Sequence, residues 1–241
     1  ESYYQTSGEF NDNITGELDK KYKTRSEAFS FLDGCKVAKF YVRNIETKRE
    51  KRKPPPPFIT STMQQVAGTK LKMSAKMVMR TAQTLYEGGY ITYHRTDSVV
   101  LSKQAISQIK GYIEKKYGDK YIKIRKYKSK SKGAQEAHEA IRPTNINANT
   151  EELSTFEKKL YMLIWKRAIA SQMAEMLVDV TKIEIEVTTS KSKFIAKTEK
   201  IIFKGYMILY EKKETKDVEK KKKKIDISKI LIGNELKYNG K

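Results

Sequence analysis

The chain is predicted to be an α+β protein in which an all-helical domain is inserted into a β-rich domain made by both chain ends. Two changes of period and one breaker carry this. Apolar residues alternate with a two-residue period near both termini and recur with a helical period between them. The change on the N-terminal side falls at Pro54-Pro55-Pro56-Pro57, which can neither donate to a ladder nor leave its fixed φ. The expected limits are residues 1–56 and 178–241 for the two parts of the β domain and 57–177 for the helical domain. No internal repeat is present.

After an early polar stretch, Thr24 and Ser26 are placed to cap a short helix ending near Cys35. Lys39 to Ile45 then alternates as a half-buried strand, and the prolines beyond it read as an extended, semi-rigid connector. Met63, Val66, Ala67 and Leu71 share one helical face; Ser74 caps a second helix bearing Met77, Val78, Thr81 and Leu85, stopped by Gly88-Gly89. Ser102 caps a third helix, with Ala105, Ile106, Ile109 and Ile113 inward and Gly118 at its end. Ser154 and Glu157 form a capping box ahead of Phe156, Leu160, Leu163 and Ile164. Between these two helices, the basic run Lys123 to Lys132 has too little apolar surface to fold alone and is expected to cross the surface or move. The alternation returns at Val180, Ile183, Ile185 and Val187, then Phe194 to Ala196, Ile201 to Tyr210 and Ile230 to Leu236. A charged hairpin loop, Glu211 to Lys224, interrupts them.

At 241 residues, with 50 Lys and Arg against 29 Asp and Glu, the net charge is +21 at pH 7. Such a surface attracts polyanions, nucleic acid first among them, although an A/T-biased codon usage also raises Lys, Ile, Asn and Tyr. A single cysteine, Cys35, excludes an internal disulfide and a cysteine-cluster zinc site, and a reducing compartment is expected. No apolar run approaches the roughly 18 residues of a membrane span. The start at Glu1-Ser2-Tyr3-Tyr4 lacks both an initiator methionine and a signal-peptide pattern, so the chain is read as cut from something longer.

The segment Leu85 to Ser98 packs Tyr86, Tyr90 and Tyr93 with Arg95, Asp97, Thr96 and Ser98 directly after a glycine-terminated helix. A phenol with a pKa near 10 is ionised only to about one part in a thousand at pH 7, so a nucleophilic tyrosine needs a cation or base beside it. Arg95 lies two residues from Tyr93 and shares its face if the segment is extended, where a guanidinium can steady a phenolate and clamp a phosphate. The same pattern also suits a tyrosine packed at the core edge beside a solvated Arg95–Asp97 pair. A second cluster, Gln135 to Thr144, contains His138 and Arg142, either of which can bond a phosphate; His138 equally suits a structural role. Pairing His94 with His138 matches no common zinc site.

Pro57-Phe58-Ile59-Thr60-Ser61-Thr62-Met63-Gln64-Gln65, Leu85 to Ser98, and Ala134 to Thr144 together resemble, in order and separation, three successive signatures of bacterial-type type IA DNA topoisomerases. Leu160 to Arg167 is similar to the helix that follows them in that family, and the likeness runs from about Pro54 to Val187. The resemblance implies a helical domain of helix-turn-helix character mounted on a β-rich hinge domain that lets it lift away. It implies that Tyr93 attacks a phosphodiester of single-stranded DNA, becomes linked to the 5′ phosphate, and lets the strand reseal without ATP after another strand passes. Arg95 is then the partner of the scissile phosphate and His138 a DNA phosphate contact. Arg142, Gln83, Tyr86, Thr96 and Asp97 fall into supporting, DNA-binding places.

The family's metal-binding carboxylates sit in a preceding domain with a D-x-D-x-E motif, and this chain contains no D-x-D. No cofactor or metal site is therefore expected here, Mg2+ belonging to the whole enzyme, and the chain alone is expected to relax DNA poorly or not at all. The expected setting is intracellular, wherever DNA is handled: cytoplasm or nucleoid, nucleus or a viral replication site. A monomer is expected. The rival reading is a DNA-binding module without covalent chemistry, which would tolerate Tyr93→Phe. A basic structural protein of a nucleoprotein particle is a third, and would require the three signatures to be accidents. The lysine runs, including Lys220 to Lys224, read as solvated; if they bind DNA, binding weakens steeply with salt.

Overall fold

A computed structural model describes residues 2–11, 13–128, 139–211 and 230–239. The chain divides into two compact units: residues 1–50, 177–202 and 214–241 form the first, and residues 51–176 and 203–213 the second.

The first unit is a curled antiparallel sheet with one helix. Its strands are β1 (Tyr4–Phe10), β2 (Ile14–Tyr22), β3 (Phe40–Arg52), β4 (Met176–Val187), β5 (Lys193–Phe203) and β6 (Glu235–Leu236), in the order β1-β2-β5-β4-β3-β6. The curl nearly closes. Phe10 bridges Tyr238, and the Asn11 N–H donates to the Lys237 carbonyl, so both edges find partners instead of facing solvent. Inside, Phe10, Phe40 and Phe194 meet with ring centroids 5.2–6.3 Å apart. Helix α1 (Arg25–Cys35) begins with the Thr24–Glu27 capping box and buries Ala28 and Cys35 against this layer.

Several sequence expectations are corrected in this unit. The early polar stretch forms the paired strands β1 and β2. Their inward positions include Thr6, Gly8 and Gly16, which carry no apolar signal. A Cβ on Gly8 would meet the Phe10 ring at 3.0 Å, and one on Gly16 the Phe194 Cβ at 3.1 Å, so the missing side chains make room for the two phenylalanines. β3 runs past Ile45 to Arg52. Its outer half has lost the apolar alternation and is held by the Thr47–Thr181 hydroxyl pair at 2.8 Å and the Arg49–Asp179 fork at 2.7 and 2.9 Å. Only Glu235–Leu236 of the segment from Ile230 to Leu236 is a strand, because Leu231 to Asn234 turns, with the Asn234 N–H on the Leu231 carbonyl. The hairpin loop placed at Glu211 to Lys224 lies, from residue 212 on, outside the described residues.

The second unit is helical. Its helices are α2 (Thr60–Leu71), α3 (Ala75–Glu87), α4 (Lys103–Tyr117) and α5 (Thr155–Ser171). Ser74, Ser102 and Ser154 cap α3, α4 and α5 through their hydroxyls, Ser154 within a capping box. Lys72, in the left-handed region at φ 58°, turns the chain between α2 and α3. One apolar cluster joins Met63, Val78, Leu85 and Ile164 to the loop residues Phe58, Ile91 and Ile141; another joins Ile109, Ile113 and Ile169 to Leu209. The proline connector, residues 53–57, belongs to no helix or strand and is pinned where Arg167 Nε donates to the Pro56 carbonyl at 2.6 Å.

Two further corrections fall here. The strand expected from Ile201 to Tyr210 ends at Phe203, and Gly205–Tyr210 forms a 3-10 turn in the helical unit. Gly205 has φ +49°, and a Cβ there would lie 2.3 Å from the Glu175 carbonyl oxygen, so the chain leaves the strand at a place only glycine fits. The described part of the basic run, Lys123 to Lys128, does not simply cross the surface, and residues 129–132 lie outside the described residues. Arg125 is held inward: its backbone N–H donates to Gln172 Oε1 at 2.9 Å, and its guanidinium reaches the Ser171 carbonyl at 3.2 Å and the Met173 carbonyl. The Tyr127 hydroxyl donates to the Ser171 carbonyl at 3.1 Å. These bonds satisfy the carbonyl end of α5, where helix geometry leaves acceptors unpaired.

Candidate active site around Tyr93

Helix α3 stops at Glu87, and Gly89 adopts φ +72°, which turns the chain sharply into the tyrosine segment. From Tyr93 onward, exposure alternates: Tyr93, Arg95 and Asp97 face out while His94, Thr96 and Ser98 are buried. The segment has no ladder of its own. Its backbone is held by hydroxyls, which substitute for strand partners.

On one side stands Thr60, at the first position of α2. Its hydroxyl donates to the His94 carbonyl at 2.9 Å and also lies 3.2 Å from the Thr96 carbonyl, and it accepts from the Thr96 N–H at 2.9 Å. The Thr60 N–H returns a bond to the Thr96 carbonyl at 3.0 Å. On the other side, the Thr92 N–H donates to the Arg142 carbonyl at 2.9 Å, and the Thr92 hydroxyl donates to the Ala140 carbonyl at 2.7 Å. Ile91 bridges Pro143, and Phe58 bridges Ile141. Three stretches far apart in sequence thus meet behind Tyr93.

Tyr93 is 44% exposed. Its ring meets Tyr86, 40% exposed, edge to face at 5.2 Å, and His94 at 5.3 Å. Arg95, two residues on, is also exposed. Thr96 is buried; its hydroxyl accepts from the Ser98 N–H at 3.0 Å, which gives it a backbone-holding place, and Asp97 is exposed. Gln83 lies on α3, three residues before Tyr86, with its amide donating to Glu87 Oε1 at 2.5 Å.

Arg142 is turned inward. Its guanidinium forms a fork with Glu139, Nε at 3.2 Å and the terminal nitrogen at 2.7 Å, and a third bond goes to the Pro143 carbonyl at 2.9 Å. Burial pushes the Glu139 carboxyl up, but bonds from Arg142 and from the Ser102 N–H outweigh it and hold the carboxyl below its ordinary value. Arg142 therefore braces the strand pairing behind Tyr93. His138 lies outside the described residues. Among those described, no group of three or more His, Cys, Asp or Glu side chains converges as a metal site, and no helix is long and apolar enough to cross a membrane.

Sequence reasoning passes over Thr60, Thr92 and His94 as functional residues. Thr60 stands within the Phe58 to Gln65 block, but nothing local shows that its partner is 36 residues away.

What this arrangement can do is present an exposed phenol, with an exposed guanidinium two residues away, on a backbone fixed from behind. The sequence profile described as DNA topoisomerase matches residues 1–241. The chain is 45% identical over 222 residues to DNA topoisomerase 1 of Rickettsia typhi, covering 83% of this chain and 28% of that protein. It is 38% identical over 242 residues to the prokaryotic-type DNA topoisomerase 1 of Acanthamoeba polyphaga mimivirus, covering 87% and 28%. The fold is similar to that of full-length topoisomerase I from Thermotoga maritima, with a TM-score of 0.74 and 30% identity, over 98% of this chain and 40% of that one. The chain thus spans under a third of the length of the Rickettsia and mimivirus relatives, and within that span it belongs to the DNA topoisomerase family.

Proposed function

We propose that this chain is the tyrosine-bearing part of a type IA DNA topoisomerase, with Tyr93 as the nucleophile. The observation that carries the reading is an exposed Tyr93 two residues from an exposed Arg95, on a segment pinned from its buried side by Thr60 and Thr92. In the proposed step the Tyr93 oxygen forms a bond to phosphorus and the bond from phosphorus to the 3′ oxygen breaks. The phenol proton is released, and the 3′ oxygen takes one up. One phosphodiester replaces another, so the 3′ hydroxyl can reverse the step without ATP. Arg95 offsets charge that builds on the phosphate and the phenol oxygen.

Tyr86 supports the Tyr93 ring, Thr96 supports its backbone, and Gln83, Asp97 and His138 take DNA-facing places by family likeness. Arg142 acts through Glu139 as a brace. The α2–α3 pair is read as the helix-turn-helix element, and the proline connector as one link of the hinge. The partner is DNA, single-stranded where it is cut, consistent with the net charge of +21. The protein is read as a monomer working inside the cell. The magnesium ion expected of the whole enzyme is assigned, by family likeness, to an acidic domain outside this chain.

The test mixes the full-length protein with end-labelled single-stranded DNA and magnesium, then denatures it. A covalent adduct that falls to background in Tyr93→Phe is the expected result. An adduct that persists in Tyr93→Phe would move the nucleophile elsewhere. No adduct from a folded, DNA-bound wild type would favour a binding module. Efficient relaxation of supercoiled DNA by this chain alone would sink the division of the active site between two domains.

A further inference from the structure

We propose that His94 is a positioning residue for Tyr93, an uncharged buried ring that sets the direction of the phenol, so that protonating it disarms the site. This rests on the reading of Tyr93 as the nucleophile. His94 is 0% exposed, and its ring closes a triangle with the two tyrosines: 5.3 Å from Tyr93 at 68°, 6.1 Å from Tyr86 at 51°, with Tyr86 and Tyr93 5.2 Å apart. Its carbonyl is fixed from behind by the Thr60 hydroxyl of α2. The backbone at His94 is therefore held in place while its ring packs against the Tyr93 ring.

Neither ring nitrogen has a hydrogen-bond partner among the described residues. Burying such a group is unfavourable, and an apolar side chain of similar size would fill the same space without that penalty. Packing alone thus gives no reason for a histidine here, whereas a group that can change charge does.

The ionisable groups facing it are few. Burial and the adjacent Arg95 disfavour the imidazolium, and Glu87 at the end of α3 opposes them more weakly; among the described residues, the Tyr86 and Tyr93 phenols are the titratable groups whose rings pack against it. Together they hold the imidazole pKa below its ordinary 6.5. The folded value is lowered, so the packed triangle is fully favoured above about pH 6.5 and loses that advantage as pH falls below it. Taking up a proton requires the ring to reach water. Leaving the pocket removes the ring that packs against both Tyr86 and Tyr93, and the phenol loses one of the two surfaces that set its direction.

The experiment measures single-turnover adduct formation by the full-length protein on a single-stranded oligonucleotide with magnesium, at several pH values from about 4.5 to about 7.5, which reaches below the ordinary histidine range as the lowered value requires. Wild type, His94→Met and His94→Ala are compared. The wild-type rate divided by the His94→Met rate is expected to fall about threefold or more towards the acid end, because methionine fills the space of the ring but cannot charge. His94→Ala is expected to be slower than His94→Met throughout the range. Parallel pH profiles of wild type and His94→Met overturn the proposal. Should both variants fail to fold, ring-nitrogen NMR of the wild type follows the histidine in contact with the Tyr93 ring. A midpoint below 6.5 supports the proposal, and one at or above 6.5 overturns it. Failure of the underlying reading is separate: it appears as an adduct that survives Tyr93→Phe, or as none from wild type.

Discussion

The sheet and the tyrosine segment both alternate between inward and outward side chains, but they do so by different means. In the sheet, β1, β2 and β5 exchange ladder bonds, and the inward residues press Phe10, Phe40 and Phe194 together. In the tyrosine segment, the same alternation from Tyr93 to Ser98 has no ladder, and the hydroxyls of Thr60, Thr92, Thr96 and Ser98 hold it. A ladder spreads its strength over many bonds. A few hydroxyls concentrate it, which leaves the outward edge free for chemistry and makes the site sensitive to single atoms.

Four substitutions separate the two kinds of support. The largest effect belongs to the sheet: Phe194→Ala empties a fully buried site among three aromatic rings and is expected to cost about 3–5 kcal/mol in denaturant unfolding of that unit. A loss near zero would mean the aromatic layer is not its core. Next comes Thr60→Val, which keeps the shape but strands the Thr96 N–H and the His94 carbonyl; about 1–3 kcal/mol of local stability should disappear. The check is hydrogen exchange at Thr96, which should quicken while exchange in the sheet stays as it was. Uniform quickening across the chain would contradict the local character of the segment.

Glu139→Gln is expected to follow, at about 1–2 kcal/mol at neutral pH, by weakening the Arg142 brace. Because the folded carboxyl is held below 4.5, its contribution is present above about that pH and is lost as pH falls through the lower folded value. The gap between wild type and variant should therefore close under acid; a constant gap would point to packing. The smallest effect is expected from Asp179→Asn. This breaks the Arg49 fork on the outer arm of β3, where Arg49 stands in solvent, and the unfolding midpoint should not move beyond scatter.

Much of the helical unit was legible in the sequence because its signals are local. Ser74, Ser102 and Ser154 cap the helices that follow them, and the apolar spacing names the buried face. The sheet was less legible. β1 and β2 hide behind Gly8, Gly16 and Thr6, whose smallness suits the rings they face and carries no hydrophobic period.

The sequence by itself determined the change of period, the helix caps, the density of phenol, guanidinium and hydroxyl groups from Tyr86 to Ser98, and the family likeness of the blocks around them. The tertiary structure decided which of those groups stand outward and which hold them. Thr60 reaches Thr96 across 36 residues, and Thr92 reaches Ala140 across 48. It also turned Arg142 inward to Glu139 and buried His94 against two tyrosines. Such pairings depend on where the folded chain brings its hydroxyls and carbonyls together, and residue type sets only which bonds each can make.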